Sequence, residues 1–439
     1  MESHAAGVGE PLDLGKTRML LALRINVLAK GYSGISEESL TRYIRGFNLD
    51  YLPFIPLKGT VGASGDLAPL SHLALGLMGE GKVWDKDTQK YVDAKIVTEK
   101  LNFVPIELKE KEGLALINGT QFMTAIGTEA VQRAKLLAKT ADVIASLTFE
   151  TQFGERDIIE QRPHQLRGQK GQIEVAKRMA QVLLDNNEMS EMNIKLHDKH
   201  TQQRGKQDGY AILCVPQVHG VAHDTLEFVS QMLTEELNSA TDNPLVFTTD
   251  DGFEQDVTMS AGNFHGEYSS KVLDYLTIAI HELGSISERR VERLVNPVLS
   301  YLPDFLVNEG GLNNGFMIAH CTAAALVSEN KTLCHPASID TITTSANQED
   351  HVSMGGWASR KCLEVVHNVE YVLAIELMAA CQALDLLRPL KSTSKVEKIL
   401  AEVRKIVPYM ESDYVFSEHI ENLQQLIKSG KILELAEIE

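Results

Sequence analysis

The chain is poor in cysteine and in basic charge, and each shortage excludes something. Its five cysteines, Cys214, Cys321, Cys334, Cys362 and Cys381, are widely spaced and form no CxxC pair. An odd count at such spacing argues against a disulfide framework or a structural zinc site and suits a reduced, intracellular protein. Lysine and arginine number 42 against 60 aspartates and glutamates, giving a formal net charge of -18. That balance offers no basic face to a nucleic acid. No apolar run reaches membrane-spanning length; even VLAIELMAACQAL carries Glu376 and Gln382. The opening MESHAAGVGEPLDLGK has neither the apolar core of a signal peptide nor the arginines of a transit peptide, so the cytoplasm is the expected location. No GxxxxGK[ST] loop is present to cradle a nucleotide phosphate. The charge run EKLNFVPIELKEKEG is expected to be a solvated stretch.

What remains is helix. With 439 residues, 44% of them hydrophobic, the chain can bury a large core. TRMLLALRINVLAKG has apolar residues at helical spacing and ends at Gly31; ISEESLTRYIRG offers Ser36 as an N-cap. Long apolar-periodic runs cover 118–149, 217–238, 265–294, 316–331 and 357–388, which predicts a mainly α bundle of long helices. A less regular N-terminal part, 1–120, precedes the bundle and C-terminal helices, 121–439. One hairpin is expected in PLVFTTDDGFEQDVTMS, around Asp251-Gly252. In TEELNSATDNP, Asn238, Asp242 and Asn243 read as turn formers.

Two motifs turn out weaker than they look. His219 and His223 in HGVAH stand at i, i+4, but Gly220 occupies the position where a zincin needs glutamate, and a structural role is favoured over a metal. GASGD resembles a nucleophile elbow, but Asp66 replaces the second glycine of GxSxG.

The segment GTVGASGDLAPLSHLAL, 59–75, supports different chemistry. In a sharp bend the Gly65 nitrogen can attack the Ala63 carbonyl carbon, because glycine has no β-carbon to hinder approach. Ser64 then lies inside a five-membered ring, and loss of its hydroxyl leaves an exocyclic methylene. The product, a 4-methylidene-imidazol-5-one, is a carbon electrophile made without metal or nucleotide. Asp66 either assists this loop or N-caps the helix that follows.

The surrounding text resembles the aromatic amino acid ammonia-lyases, which build this group from Ala-Ser-Gly. The likeness continues through EGLALINGT, QDGY, PQVHG, ELNSATDNP, GNFHGEY, SERR, GGLNNGFMIAH and SANQEDHVSMG, nearly the whole chain. It implies the fold shared by ammonia-lyases and fumarases, a homotetramer with shared active sites, and elimination of ammonia from an aromatic amino acid. The text is most similar to members that convert L-histidine to trans-urocanate. The resemblance assigns Ala63, Ser64 and Gly65 to the prosthetic group. Asn118 and Tyr210 fall beside the ring and the substrate amine, with Gln207 nearby, and Phe264 packs by the ring. The residue chemistry alone leaves Asn118 open as a helix N-cap and Tyr210 as a core residue. His4 and Glu349 are the substrate-selecting pair: a carboxylate can accept an imidazole N–H, whereas facing a phenyl ring it would be left unpaired. Otherwise Glu349 would be a surface ion pair and His4 part of a loose terminus.

Three departures accompany the likeness. The segment that carries the family's proton-abstracting tyrosine lies upstream of the Ser3-His4 motif, so the chain is expected to be N-terminally incomplete; Tyr51 does not match it. In QDGYAIL, Leu213 stands where the family has a carboxylate-binding arginine, and RPHQLRGQKGQ carries extra residues after His164. An ammonia-lyase acting on L-histidine is the expectation; a non-catalytic homologue of the same fold, or a lyase for another aromatic amino acid, is the alternative.

Overall fold

The computed structural model describes residues 1–204 and 208–438. It is mainly helical, and the long helices fall where the apolar periodicity predicts them: Gln121–Thr151, Val215–Leu237, Glu267–Val295, Met317–Leu333 and Gly355–Leu386. The early helices also start and stop on their expected signals. Leu14–Leu28 is capped by the Asp13 side chain and followed by Gly31 at positive φ; in Glu37–Leu49, Ser36 accepts from the Ser39 N–H. The expected hairpin is present: Leu245–Phe247 pairs antiparallel with Val257–Met259, with Gly252 in the left-handed region.

The chain divides into two compact units, each assembled from three segments. The first comprises Met1–Ala130, Val229–Tyr275 and His335–Leu363. Its core includes Leu20, Leu21, Tyr43, Leu70, Leu73, Leu77, Phe122 and Ile126, all essentially inaccessible. Two more antiparallel strand pairs belong to it, Val8–Pro11 with Pro56–Lys58 and Lys82–Asp85 with Lys90–Asp93. Tyr51 is a core residue here, stacked on Phe103 and donating to the Gly76 carbonyl at 2.9 Å.

The solvated reading of 99–113 fails at three residues. Phe103 and Ile106 are buried because they pack into this core. Glu112 is buried because it accepts from the Ser36 N–H and hydroxyl, the Ser39 hydroxyl and the Lys109 N–H. Asp242 is likewise more than a turn former: it is buried and paired with Lys111 at 2.9 Å.

The second unit comprises Val131–Phe228, Leu276–Cys334 and Glu364–Glu439. Two buried carboxylates tie its helices together. Glu376 receives the Arg290 guanidinium and the hydroxyls of Thr148 and Ser287. Asp142 receives Arg178, His219 and His223. Burial would raise the Asp142 carboxyl, but these partners outweigh it and hold it far below the usual range. The arginine near His219 Nε2, at 3.4 Å, can only donate. The ring therefore carries its proton on Nδ1 and donates it to Asp142. The i, i+4 histidines of HGVAH thus serve a buried carboxylate.

Candidate functional site

The site is built around 59–66 in the first unit. A short strand, Pro56–Lys58, leads in and helix Leu67–Leu77 leads out. Between them the backbone is clamped from three sides. The Met354 N–H donates to the Val61 carbonyl at 2.8 Å; Gly266 N–H and Ser353 Oγ donate to the Gly62 carbonyl at 2.9 Å each; Asp66 N–H donates to the Gly119 carbonyl at 2.7 Å. Gly62 and Gly65 have φ of +71° and +77°, a region that costs other residues about 1–2 kcal/mol. A β-carbon on Gly62 would meet Ser353 Oγ at 2.3 Å. On Gly65 it would meet the Gly119 backbone, so the loop admits glycine at both positions.

Asp66 occupies the N-cap position of Leu67–Leu77 without capping it. Its carboxyl turns inward instead, accepting from Thr60 Oγ1 and from the Met123 N–H, both at 3.0 Å. Complete burial pushes its pKa up to about 7, against the pull of those hydrogen bonds and of Arg24. The capping alternative is thereby corrected: the side chain ties the loop to the start of the long helix.

Ser64 is half-buried and held at both ends. Asn118 Nδ2 donates to the Ser64 carbonyl at 2.8 Å, and the Ser64 hydroxyl donates to Glu349 Oε1. Asn118 is no helix cap, since the helix begins at Gln121. Its Oδ1 is buried with no hydrogen-bond partner. Arg24, wholly buried, fixes the same segment by donating to the Asn118 carbonyl at 3.0 Å and to Gln121 Oε1 at 2.5 Å.

Glu349 enters from a tight loop. Thr344 and Glu349 exchange backbone hydrogen bonds at 2.9 and 3.3 Å, and the intervening Ser345, Ala346 and Asn347 all have positive φ. Hydroxyls of Thr344 and Ser345 donate to Glu349 Oε2 at 2.8 Å each. Burial would raise this carboxyl; the hydroxyls of Ser64, Thr344 and Ser345 outweigh it, so it stays ionised below its usual range. The surface ion pair considered for Glu349 is not what forms.

Phe264 is half-buried in the turn whose Gly266 clamps Gly62. His4 ends a short 3-10 helix, Glu2–His4, and is exposed, in place of a loose terminus. Tyr210 belongs to the second unit, where it begins helix Tyr210–Leu213 and is 70% exposed, so it is not a core residue. Gln207 lies outside the described residues. Leu213 lines a cavity of about 470 Å³ with Ile158, Pro163, His164, Glu155 and Asp208. Sequence reasoning missed the supports Thr60, Met123, Arg24 and Ser353. Thr60 and Ser353 had a local signal, their places inside the quoted GTVGASGDLAPLSHLAL and SANQEDHVSMG.

The uncyclised loop fits the prosthetic group implied by its sequence. A glycine is enforced at the attacking position 65. A carboxylate holds the Ser64 hydroxyl that such a group would have to lose. A buried amide, Asn118, has one arm on the Ser64 carbonyl and an unsatisfied oxygen beside it.

The chain belongs to the aromatic amino acid lyase family, which it matches over residues 1–405. It is 56% identical over 436 residues to the histidine ammonia-lyase of Homo sapiens, covering 99% of this chain and 65% of that protein. It thus spans just under two thirds of the length of that relative. Histidine ammonia-lyase from Trypanosoma cruzi has the same fold, with a TM-score of 0.91 at 51% identity over 99% of this chain and 80% of the other. The tyrosine aminomutase of Streptomyces globisporus follows at TM-score 0.90 and 34% identity, over 99% and 83%.

Proposed function

We propose that the chain is a histidine ammonia-lyase, releasing ammonia from L-histidine to give trans-urocanate. The observation that carries this reading is the double grip on Ser64, by Asn118 at its carbonyl and Glu349 at its hydroxyl. The identity to histidine ammonia-lyases over nearly the whole chain supports it.

In this reading Ala63, Ser64 and Gly65 form a 4-methylidene-imidazol-5-one. That group supplies an electrophilic carbon to which the substrate amine can bond. Asn118 Nδ2, aimed at the Ser64 carbonyl oxygen, stabilises negative charge that builds there, as a preorganised donor does at an oxyanion. Asn118 Oδ1, buried and unpaired, is an acceptor for a substrate N–H. Glu349, ionised, accepts an imidazole N–H, and His4 completes the selection of that ring. Phe264 gives the ring an apolar wall. Tyr210 and Gln207 serve the amine side of the substrate. Buried Asp66 holds the loop to Met123, and at neutral pH it can keep or release a proton.

The active form is proposed to be a homotetramer with shared sites. Exposed apolar side chains on the long helices, among them Val221, Phe228, Tyr268 and Ile278, support a covered interface. The cytoplasm is the proposed location, in keeping with five free cysteines. Among the described residues no helix is long and apolar enough to cross a membrane.

One observation favours a second reading, a non-catalytic homologue: Leu213 offers no donor where the resemblance calls for an arginine. Incubation with L-histidine, of the chain supplied with the family's upstream tyrosine segment and carrying Leu213→Arg, separates the two. The lyase reading expects the ultraviolet absorbance of urocanate to grow with release of ammonia. No product, or a preference for phenylalanine, contradicts it.

A further inference from the structure

The hydroxyl of Ser64 points at a carboxylate, and the two have conflicting uses. Glu349 Oε2 is committed to Thr344 and Ser345, while Oε1 is occupied by the Ser64 hydroxyl. One lone pair of the oxygen proposed to read the substrate imidazole is therefore taken, and the Ser64 hydroxyl stands against it, for as long as Ser64 remains a serine. The loop that presents Glu349 is stiff: Ser345, Ala346 and Asn347 are held in the left-handed region at φ 50°, 51° and 73°. Such strain persists only where the surroundings over-determine it. Here a closed backbone pair and two hydroxyls fix the carboxylate on Ser64 Oγ. Asp66, the other carboxyl at the loop, has its oxygens on Thr60 and Met123.

We propose that Glu349 is the proton carrier that removes the Ser64 hydroxyl as water, and that this departure clears the hydroxyl from Oε1 and opens that side to the substrate. The inference rests on the prosthetic-group reading above. Ring closure is a separate step. The Gly65 nitrogen bonds the Ala63 carbonyl carbon, and the Ala63 oxygen leaves as water with the hydrogens of the Gly65 and Ser64 nitrogens. In the second step the Cα–H bond of Ser64 breaks and its electron pair becomes the Cα–Cβ double bond. The Cβ–Oγ bond breaks with its pair on Oγ. Glu349 takes the Cα proton and returns it to Oγ, which departs as water with its own hydrogen. The carboxylate ends ionised, as it began, and no oxidant or reductant enters. One side chain thus acts twice, first on the maturing loop and then, with the hydroxyl cleared, on the imidazole.

The test is the mass of the Ser64-containing peptide from wild type, Glu349→Gln and Glu349→Asp chains. Glutamine keeps the shape and a hydrogen-bonding oxygen but cannot carry the proton. Wild type is expected to lose two waters, Glu349→Gln one, and Glu349→Asp two at a slower rate. A peptide one water short is itself a sign of a folded loop, because a misfolded chain could not close the ring. Loss of both waters by Glu349→Gln at the wild-type rate overturns the proposal, and so does retention of its full mass. A wild-type peptide of unmodified mass would instead overturn the prosthetic-group reading on which the proposal stands.

Discussion

Gly65 lies so close to Gly119 that a β-carbon on it would sit 2.4 Å from the Gly119 carbonyl oxygen and 2.6 Å from its nitrogen. Both obstacles are backbone, and that oxygen is already held by the Asp66 N–H. Neither can retreat without loosening the loop. Gly65→Ala is therefore expected to cost about 3 kcal/mol or more, from the positive φ together with the clash. It should also stop ring closure. Urea unfolding and the mass of the Ser64 peptide check this; an alanine chain as stable as wild type, with both waters gone, contradicts it.

Asn118 tests the charge-stabilising role. Asn118→Ala removes the donor to the Ser64 carbonyl, and Asn118→Asp sets a carboxylate against that oxygen. Loss of one such donor typically lowers kcat about 10²–10³-fold. Stability should fall by only about 1–3 kcal/mol, the range for a buried hydrogen bond. Steady-state kinetics with L-histidine is the measurement. A change in KM alone would make Asn118 a ground-state contact.

Glu150 in the second unit gives a pH signature independent of the site. It is buried, accepts from the Ser190 hydroxyl and leaves Oε2 unpartnered. Burial raises its pKa from 4.5 to about 7. A carboxyl raised on folding binds its proton more tightly when folded. Its contribution is fully present below about 4.5 and is lost as pH rises to about 7. The loss approaches about 1.4 kcal/mol per pH unit inside that window. Glu150→Gln should make the fall of the stability profile between those limits shallower, leaving the part that comes from Asp66, as followed by denaturant unfolding at several pH values. Parallel profiles for wild type and variant would contradict it.

Leu213→Arg tests the sharpest departure in the sequence. The cavity beside Leu213, about 470 Å³, has room for a guanidinium. If the substrate carboxylate is bound from this position, a restored charge-assisted contact of about 1.5–3 kcal/mol should lower KM for L-histidine roughly 10–100-fold. Glu155 and Asp208 line the same cavity and could capture the new charge. An unchanged or higher KM both in Leu213→Arg and in the same chain with Glu155→Gln and Asp208→Asn added would show that position 213 is not a substrate contact.

The long helices were legible because each is a local pattern: periodic apolar residues, Ser36 or Asp13 at a start, Gly31 past an end. The cyclising loop was legible because its chemistry lies within three consecutive residues. What escaped the sequence was long-range. Nothing near Glu349 announces that its carboxylate sits on a serine 285 positions away, or that Asp66 bonds the Met123 N–H. Arg24 reads as one more charge on an amphipathic helix, yet it is buried against Asn118 and Gln121. The burial of Phe103, Ile106 and Glu112 inside a charged run is of the same kind. Charge density describes a surface only where no distant serine or apolar core claims the residue.

The proposed chemistry rests on Ala63-Ser64-Gly65. The most direct measurement is the mass of the proteolytic peptide that spans Ser64, taken from the purified chain under denaturing conditions. The peptide is expected to be lighter than its sequence by two waters, with Ser64→Ala unable to reach that mass. A wild-type peptide at the full mass of its sequence would contradict it.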